Sequence, residues 1–260
     1  MLLAIDIGNT NIFLGLWNGR SWQYQWRLRT APEQTADELG VMLMALLREF
    51  GVENLVRQVA LCSVVPWLTK IFKQASRQYL GVEAMQLTYQ SDLGIQLGQD
   101  NLAEVGADRI ANAVAAHHLY SGPKIIIDMG TATKFEVVTG AGEFLGGVIA
   151  PGLRLSADAL AGRAAQLRSV PLEAPPSMIG RNTIHAVQSG LILAYACMLD
   201  GVVAGLRDEL PEESESLRVI GTGGNINFIV EHTQVIDHID PCLTLTGLRI
   251  VHERMSGENA

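Results

Sequence analysis

A mixed α/β fold built from two related halves is the architecture that this 260-residue sequence predicts. Three observations point to it. The stretch Ile5-Asp-Ile-Gly-Asn-Thr-Asn-Ile-Phe13 returns in altered form as Ile127-Asp-Met-Gly-Thr-Ala-Thr-Lys-Phe135, and a constant offset of 122 residues separates Asp6 from Asp128, Gly8 from Gly130 and Phe13 from Phe135. After each copy, strand-like apolar runs give way to segments with apolar residues at i, i+3 and i+4, the order that places helices on a sheet. The chain length is where one core tends to become two. Halves of 1–122 and 123–260 are therefore expected.

The elements follow in order. Apolar runs at 2–7, 12–17 and 22–28 read as antiparallel strands, the last two joined across Asn18-Gly19, a two-residue hairpin signal. Trp17, Trp22, Tyr24 and Trp26 alternate along them and are expected to pack rather than to bind. Thr35 and Glu38 have capping-box spacing, and Leu39, Met42, Leu43, Leu46, Leu47 and Phe50 continue as a core-facing helix that Gly51 ends. A strand at 59–65 stops at Pro66, a helix over 67–80 closes at Gly81, and a strand follows at 83–88. From Lys124 a similar order restarts, with strands at 124–129, 133–139 and 143–149 and helices after Pro151 and over 183–207. A strand at 217–220, a helix beginning near Asn225 and a helix from Thr246 complete the chain. The acidic stretch 208–216 reads as a solvated loop.

Composition narrows the function. With 48% hydrophobic and 18% charged residues the chain is globular, and a net charge of −8 argues against a nucleic-acid partner, which Lys and Arg must neutralise. Cys62, Cys197 and Cys242 are odd in number and lack C-x-x-C spacing, which suits reduced thiols and a cytoplasmic location. No secretion signal opens the sequence. The apolar stretch 191–206 is interrupted by Asp200 and falls short of the ~18–20 residues of a membrane span, so no membrane partner is expected.

In each repeat a strand delivers an aspartate into a turn containing glycine, which permits φ > 0 and close approach of a ligand. Backbone N–H groups there, with Asn9, Thr10, Asn11, Thr131 and Thr133, suit phosphate oxygens. An aspartate beside phosphate needs a cation between them, so Asp6 and Asp128 read as metal-side carboxylates. Asp108 and Arg109 open a helix at the junction of the halves. Asp108 there is either a helix cap or a cleft residue. Gly221-Thr-Gly-Gly-Asn225 is a further candidate loop, with room for a nucleoside against backbone. No H-E-x-x-H, Walker A or G-x-G-x-x-G pattern occurs. His117 and His118 are adjacent and diverge on a helix, so they cannot form an i, i+4 metal pair.

These features together resemble the superfamily of acetate and sugar kinases and actin, with two ribonuclease-H-like halves and ATP in the cleft. Within it the chain is similar to the type III pantothenate kinases over nearly its whole length. The matching blocks are Asp6-Ile-Gly-Asn-Thr-Asn, Glu104-Val-Gly-Ala-Asp-Arg109, Asp128-Met-Gly-Thr-Ala-Thr133, Gly146-Gly-Val-Ile-Ala-Pro-Gly-Leu153, Ile179-Gly-Arg-Asn-Thr183, Gln188-Ser-Gly190, Thr222-Gly-Gly224 and Leu243-Thr-Leu-Thr-Gly-Leu248. The resemblance implies ATP-dependent phosphorylation of pantothenate, the first step toward coenzyme A. It implies ATP and Mg²⁺ at Asp6, Ile7, Gly8, Asn9, Thr10, Asn11, Ile12 and Phe13, with Asp6 on the metal and Thr131 completing the grip on phosphate. Gln99, Gly106, Ala107, Asp108, Arg109 and Thr183 would contact pantothenate, with Asp108 as general base and Arg109 anchoring its polar end. Asp128 would bind a monovalent cation, K⁺ or NH₄⁺, and a homodimer would complete the pantothenate pocket.

Two departures qualify this. Gln99-Asp-Asn-Leu102 stands where the family has Tyr-x-x-Pro, and Lys134 stands where a threonine is common. The first keeps open a non-catalytic regulator with the nucleotide-binding fold, or a kinase for a different small alcohol. The second brings an ammonium to the strand beside Asp128, where it would lessen dependence on the monovalent ion; the alternative is a lysine pointing outward into solvent.

Overall fold

A computed structural model describes residues 1–163, 169–210 and 216–257. By contacts the chain forms two compact units, Met1–Ala115 with Leu243–Ala260, and Ala116–Cys242.

In the first unit β1 (Leu2–Ile7), β2 (Asn11–Trp17) and β3 (Trp22–Arg29) form an antiparallel meander, and β4 (Gln58–Ser63) and β5 (Ala84–Gln86) extend it in parallel, in the order β3-β2-β1-β4-β5. A short strand β6 (Gln96–Leu97) follows. Helices α1 (Ala36–Glu49) and α2 (Pro66–Ala75) bury Leu39, Leu43, Leu47, Leu68 and Phe72 against Leu3, Ile5, Ile7, Leu14 and Leu61. The capping box forms as the spacing predicts: Glu38 N donates to Thr35 Oγ1 at 3.2 Å and Thr35 N to Glu38 Oε2 at 2.7 Å. Gly51 and Gly81 take left-handed φ values of 65° and 68°, so the expected stops hold. Asn18-Gly19 lies in a longer connection than the two-residue turn: Asn18 N bonds Ser21 O, and Asn18 Oδ1 accepts from the N–H groups of Arg20 and Ser21. The aromatic residues pack, with Tyr24 4.5 Å from Phe50 and 5.8 Å from Trp26 between ring centroids.

Alternation along β1 turns Asp6 to the face opposite Ile5 and Ile7. Helix α7 (Leu243–Ser256) packs on β1 and β4, and α3 (Ala107–Leu119), whose course crosses the boundary between the units, lies against α7. The last helix therefore groups with the first unit, whereas the repeat offset leaves it with the second half. The reason is a close approach: a Cβ on Gly247 would lie 1.8 Å from the Ala111 carbonyl oxygen, so glycine lets α7 lie against α3. Trp22 Nε1 also reaches Thr246 Oγ1 at 3.4 Å.

In the second unit β7 (Lys124–Met129), β8 (Ala132–Val138) and β9 (Glu143–Pro151) repeat the meander, and β10 (Arg218–Thr222) and β11 (His238–Ile239) add in parallel, in the order β11-β10-β7-β8-β9. Helix α4 (Leu153–Arg163) follows Pro151. Helices α5 (Thr183–Gln188) and α6 (Ala194–Asp208) are joined through one π-helical turn, Ser189–Leu193. This continuous run of 26 residues exceeds the 191–206 stretch and is long and apolar enough, by length and composition, to cross a membrane. Its Leu191, Ile192, Tyr195, Leu199 and Val203 are buried against Ile125, Ile127, Phe135 and Val219, and Asp200 accepts the hydroxyl of Thr233, so one face builds the core of this unit. The segment after Asn225 forms two short 3₁₀ turns, 226–228 and 230–232, in place of the expected helix. Residues 211–215 of the acidic stretch lie outside the described residues.

Candidate functional site

The two repeated turns carry the candidate chemistry, and their registers differ. In the first hairpin the last strand pair is Ile7↔Ile12, which leaves 8–11 in the turn and sets Asp6 opposite Phe13. In the second the last pair is Met129↔Thr133, which leaves 130–132 and sets Asp128 opposite Lys134. One residue fewer in the turn shifts every side chain by one place on the return strand. Phe135, aligned with Phe13 by the offset, faces Ile127 in the helix-side core, while Lys134 takes the place beside the aspartate. In the first hairpin that place holds Phe13, covered by the Arg27 guanidinium 4.3 Å from its ring centre.

Neither Gly8 nor Gly130 adopts the positive φ expected for them. Gly8 is needed for space: its N–H donates to Asn11 O at 3.0 Å, and a Cβ would lie 2.9 Å from that oxygen. Thr30, directly after β3, secures the turn, its hydroxyl donating to Gly8 O at 2.6 Å and its N–H to Thr10 O at 3.0 Å. Asn9, Thr10 and Asn11 are exposed, whereas Ile7, Ile12 and Phe13 are buried and can offer a ligand only backbone.

The second turn is secured from distant loops. Met129 O accepts Asn225 N at 3.0 Å, Gly130 O accepts Asn225 Nδ2 at 3.0 Å, and Thr131 O accepts Gly152 N at 3.1 Å. Gly223 has φ +93°, and a Cβ there would lie 2.6 Å from Met129 N and 2.7 Å from Asp128 Oδ1. The glycine-rich loop read as a nucleoside platform thus braces the second turn, and using Asn225 in this way leaves no regular helix start there. Thr131 is exposed, but Thr133 is fully buried and bonds Tyr195 OH at 2.7 Å. Thr133 is structural and not a phosphate ligand.

Asp108 sits in the first turn of α3, its Oδ1 accepting the Arg109 N–H at 2.8 Å. That oxygen lies over Gly106, where a Cβ would come within 2.6 Å of it. The fully buried Cys62 donates its Sγ–H to Asp6 Oδ1 at 3.4 Å. Burial, then the charges of Asp6 and Asp108, hold the Cys62 thiol well above its ordinary pKa. The fold therefore sets both carboxylates within electrostatic reach of a thiol that the sequence placed only by its apolar neighbours. Gln99 is half-buried. Where Tyr-x-x-Pro is missing, Asn101 starts the 3₁₀ turn 102–104 by accepting Ala103 N at 3.3 Å and donating to Glu104 Oε1 at 2.7 Å. Thr183 is exposed at the start of α5, which Asn182 caps through the His185 N–H at 2.9 Å.

The two aspartates differ as metal ligands. Mg²⁺ takes one or two carboxylates and leaves its other positions to water and phosphate oxygens, a donor set that the Asp6 carboxylate fits. Among the described residues no three His, Cys, Asp or Glu gather as a complete protein cage. Asp128 does not fit a dissolved monovalent cation, because Lys134 Nζ already lies 2.6 Å from its Oδ2. Two like charges about 4 Å apart at an effective dielectric constant near 20 repel by ~4 kcal/mol, so a second cation there is opposed.

The chain resembles known proteins over most of its length. The family described as type III pantothenate kinase matches residues 2–205. The type III pantothenate kinase of Streptomyces griseus is 44% identical, with 98% of each chain covered. Among solved structures, a Baf family protein of Campylobacter jejuni, described as a putative transcriptional activator, superposes with a TM-score of 0.58 at 17% identity over 98% of this chain and 99% of that one. A ROK family glucokinase of Streptomyces griseus, solved with glucose and AMPPNP, gives 0.51 at 14% identity over 97% and 99%. At these identities the structures show the fold alone, and it is that of the actin-like sugar kinases.

Proposed function

Because the chain belongs to the type III pantothenate kinase family, we propose a division of labour among its residues for the ATP-dependent phosphorylation of pantothenate to 4′-phosphopantothenate in coenzyme A biosynthesis. The observation that carries it is that the buried Cys62 thiol, hydrogen-bonded to Asp6, also feels the charge of Asp108.

Phosphoryl transfer asks for positioning and charge neutralisation more than for covalent help. The 6–13 turn holds the ATP phosphates through its backbone and through Asn9, Thr10 and Asn11, and Thr131 contributes its hydroxyl. Asp6 would hold Mg²⁺, which when bound neutralises charge developing on the phosphates. Gly106, Ala107 and Gln99 line the pantothenate side, Arg109 binds its polar end and Thr183 reaches it. As the primary hydroxyl of pantothenate bonds to the γ-phosphorus and the bond to ADP breaks, the hydroxyl proton passes to Asp108. The proton becomes acidic only late in the transfer, so an ordinary carboxylate suffices. Asp108→Asn is expected to lower kcat by ~10² or more with an unchanged circular dichroism spectrum. Turnover at the wild-type rate would remove Asp108 from this role.

A second copy of the chain completes the pantothenate site in this proposal. Met178, Ile179 and Ile184 are 53%, 79% and 56% exposed beside Thr183, and exposed apolar groups so placed suit a partner surface. Sedimentation showing only monomer at micromolar concentration would contradict it. The three free cysteines suit the reducing cytoplasm. The substrate is tested by coupled ADP release across pantothenate, close analogues and unrelated alcohols. ADP from another alcohol alone would replace pantothenate, and none from any would favour a regulator.

A further inference from the structure

We propose that the ammonium of Lys134 is a built-in monovalent cation: paired with Asp128, it takes the place of potassium or ammonium, and the kinase turns over without either. The proposal rests on the reading that the 128–135 hairpin serves the phosphate site.

The ion pair is close and sheltered, with Nζ 2.6 Å from Oδ2 and the two side chains 13% and 12% exposed. A lysine turned out to solvent would show neither feature. The backbone imposes this placement, since Asp128 and Lys134 are direct cross-strand partners in β7 and β8. The shorter second turn is what brings residue 134 to the aspartate. The other carboxylate oxygen, Oδ1, lies against Gly223 at a spot where even a Cβ would come within 2.7 Å. A dissolved ion would thus have to displace a tethered competitor from Oδ2 or enter beside Gly223. Tethering also makes capture intramolecular, so the positive charge is present at any external ion concentration. Lysine suits the role as a compact point charge with three rotatable donors.

Lys134 acts through Asp128 and is a positioning residue, so its test reads cation dependence rather than activity alone. Wild type and Lys134→Thr are exchanged into choline salts, and ADP release from ATP and pantothenate is followed as potassium is added. Wild-type turnover is expected to change by less than about twofold and that of the variant to rise about tenfold or more, since only the variant has an unoccupied carboxylate. Lys134→Arg, which keeps the charge, is expected to retain the flat response. A second readout needs no turnover: thallium(I) NMR is expected to show saturable binding to Lys134→Thr and none to wild type.

Potassium activation of wild type as steep as that of the variant, or saturable thallium binding to wild type, would overturn the proposal. If Lys134→Thr fails to fold in choline, recovery of its circular dichroism with potassium but not with choline supports the proposal. Without recovery, the wild-type curve and wild-type thallium titration decide it. If wild type releases no ADP from pantothenate with any cation, the kinase reading fails, and thallium binding still decides the role of Lys134.

Discussion

The turns after Asp6 and Asp128 descend from one sequence pattern, yet one is secured locally and the other from afar. Thr30, directly after the adjacent strand of the same meander, holds the carbonyls of Gly8 and Thr10. In the second turn three consecutive carbonyls are held by Asn225 and Gly152, from loops that are remote in sequence or follow the next strand. The aspartates diverge in the same way. Asp6 is met by a neutral thiol, whereas Asp128 is met by an ammonium. A repeated motif therefore conserves where the carboxylate is delivered, while the neighbours decide what it does.

The largest effect that would break this comparison is on turnover. Asp6→Asn is expected to lower kcat about a hundredfold or more through loss of charge at the phosphates, with little change in thermal stability. Asp128→Asn should instead show up first in stability, because it deprives the sheltered Lys134 ammonium of its Asp128 carboxylate, at a cost of about 3 kcal/mol. Thermal denaturation of both variants checks the contrast. An Asp6→Asn protein as destabilised as Asp128→Asn would show that the two carboxylates are not so divided.

A smaller effect sharpens the bracing difference. Thr30→Val removes one hydroxyl hydrogen bond and should cost ~1 kcal/mol, and a looser first turn should raise the KM for ATP severalfold. Unchanged stability and KM would mean that the Thr30 N–H alone secures the turn. The smallest expected effect is at Cys62. With its pKa pushed well above normal by burial and two carboxylates, the thiol remains protonated as pH rises past the ordinary cysteine range. Iodoacetamide at mildly alkaline pH should modify exposed Cys197 and spare Cys62, leaving activity unchanged; mass spectrometry locates the label, and a modified Cys62 would contradict the sheltered thiol.

Much of this molecule was legible in its sequence because the causes are local. The Thr35–Glu38 capping box, the stops at Gly51 and Gly81, the two meanders and the helix opening at Asp108 each depend on residues a few positions apart, whose hydrogen bonds and side-chain periodicity act before any tertiary contact. The repeated aspartates were equally visible, since strand alternation alone turns them to the face opposite Ile5 and Ile127, which enter the two cores. What only the tertiary structure decided rests on partners far along the chain or on a one-residue difference in a turn. Asn225 was drawn into the Gly130 turn and lost its expected helix, α7 joined the first unit through Gly247, and Cys62 came within reach of the charges of Asp6 and Asp108. Register set Lys134 against Asp128: a strand pair fixes which side chains meet only when its turn closes, and the offset of 122 residues, read along the chain, carries no information about that closure.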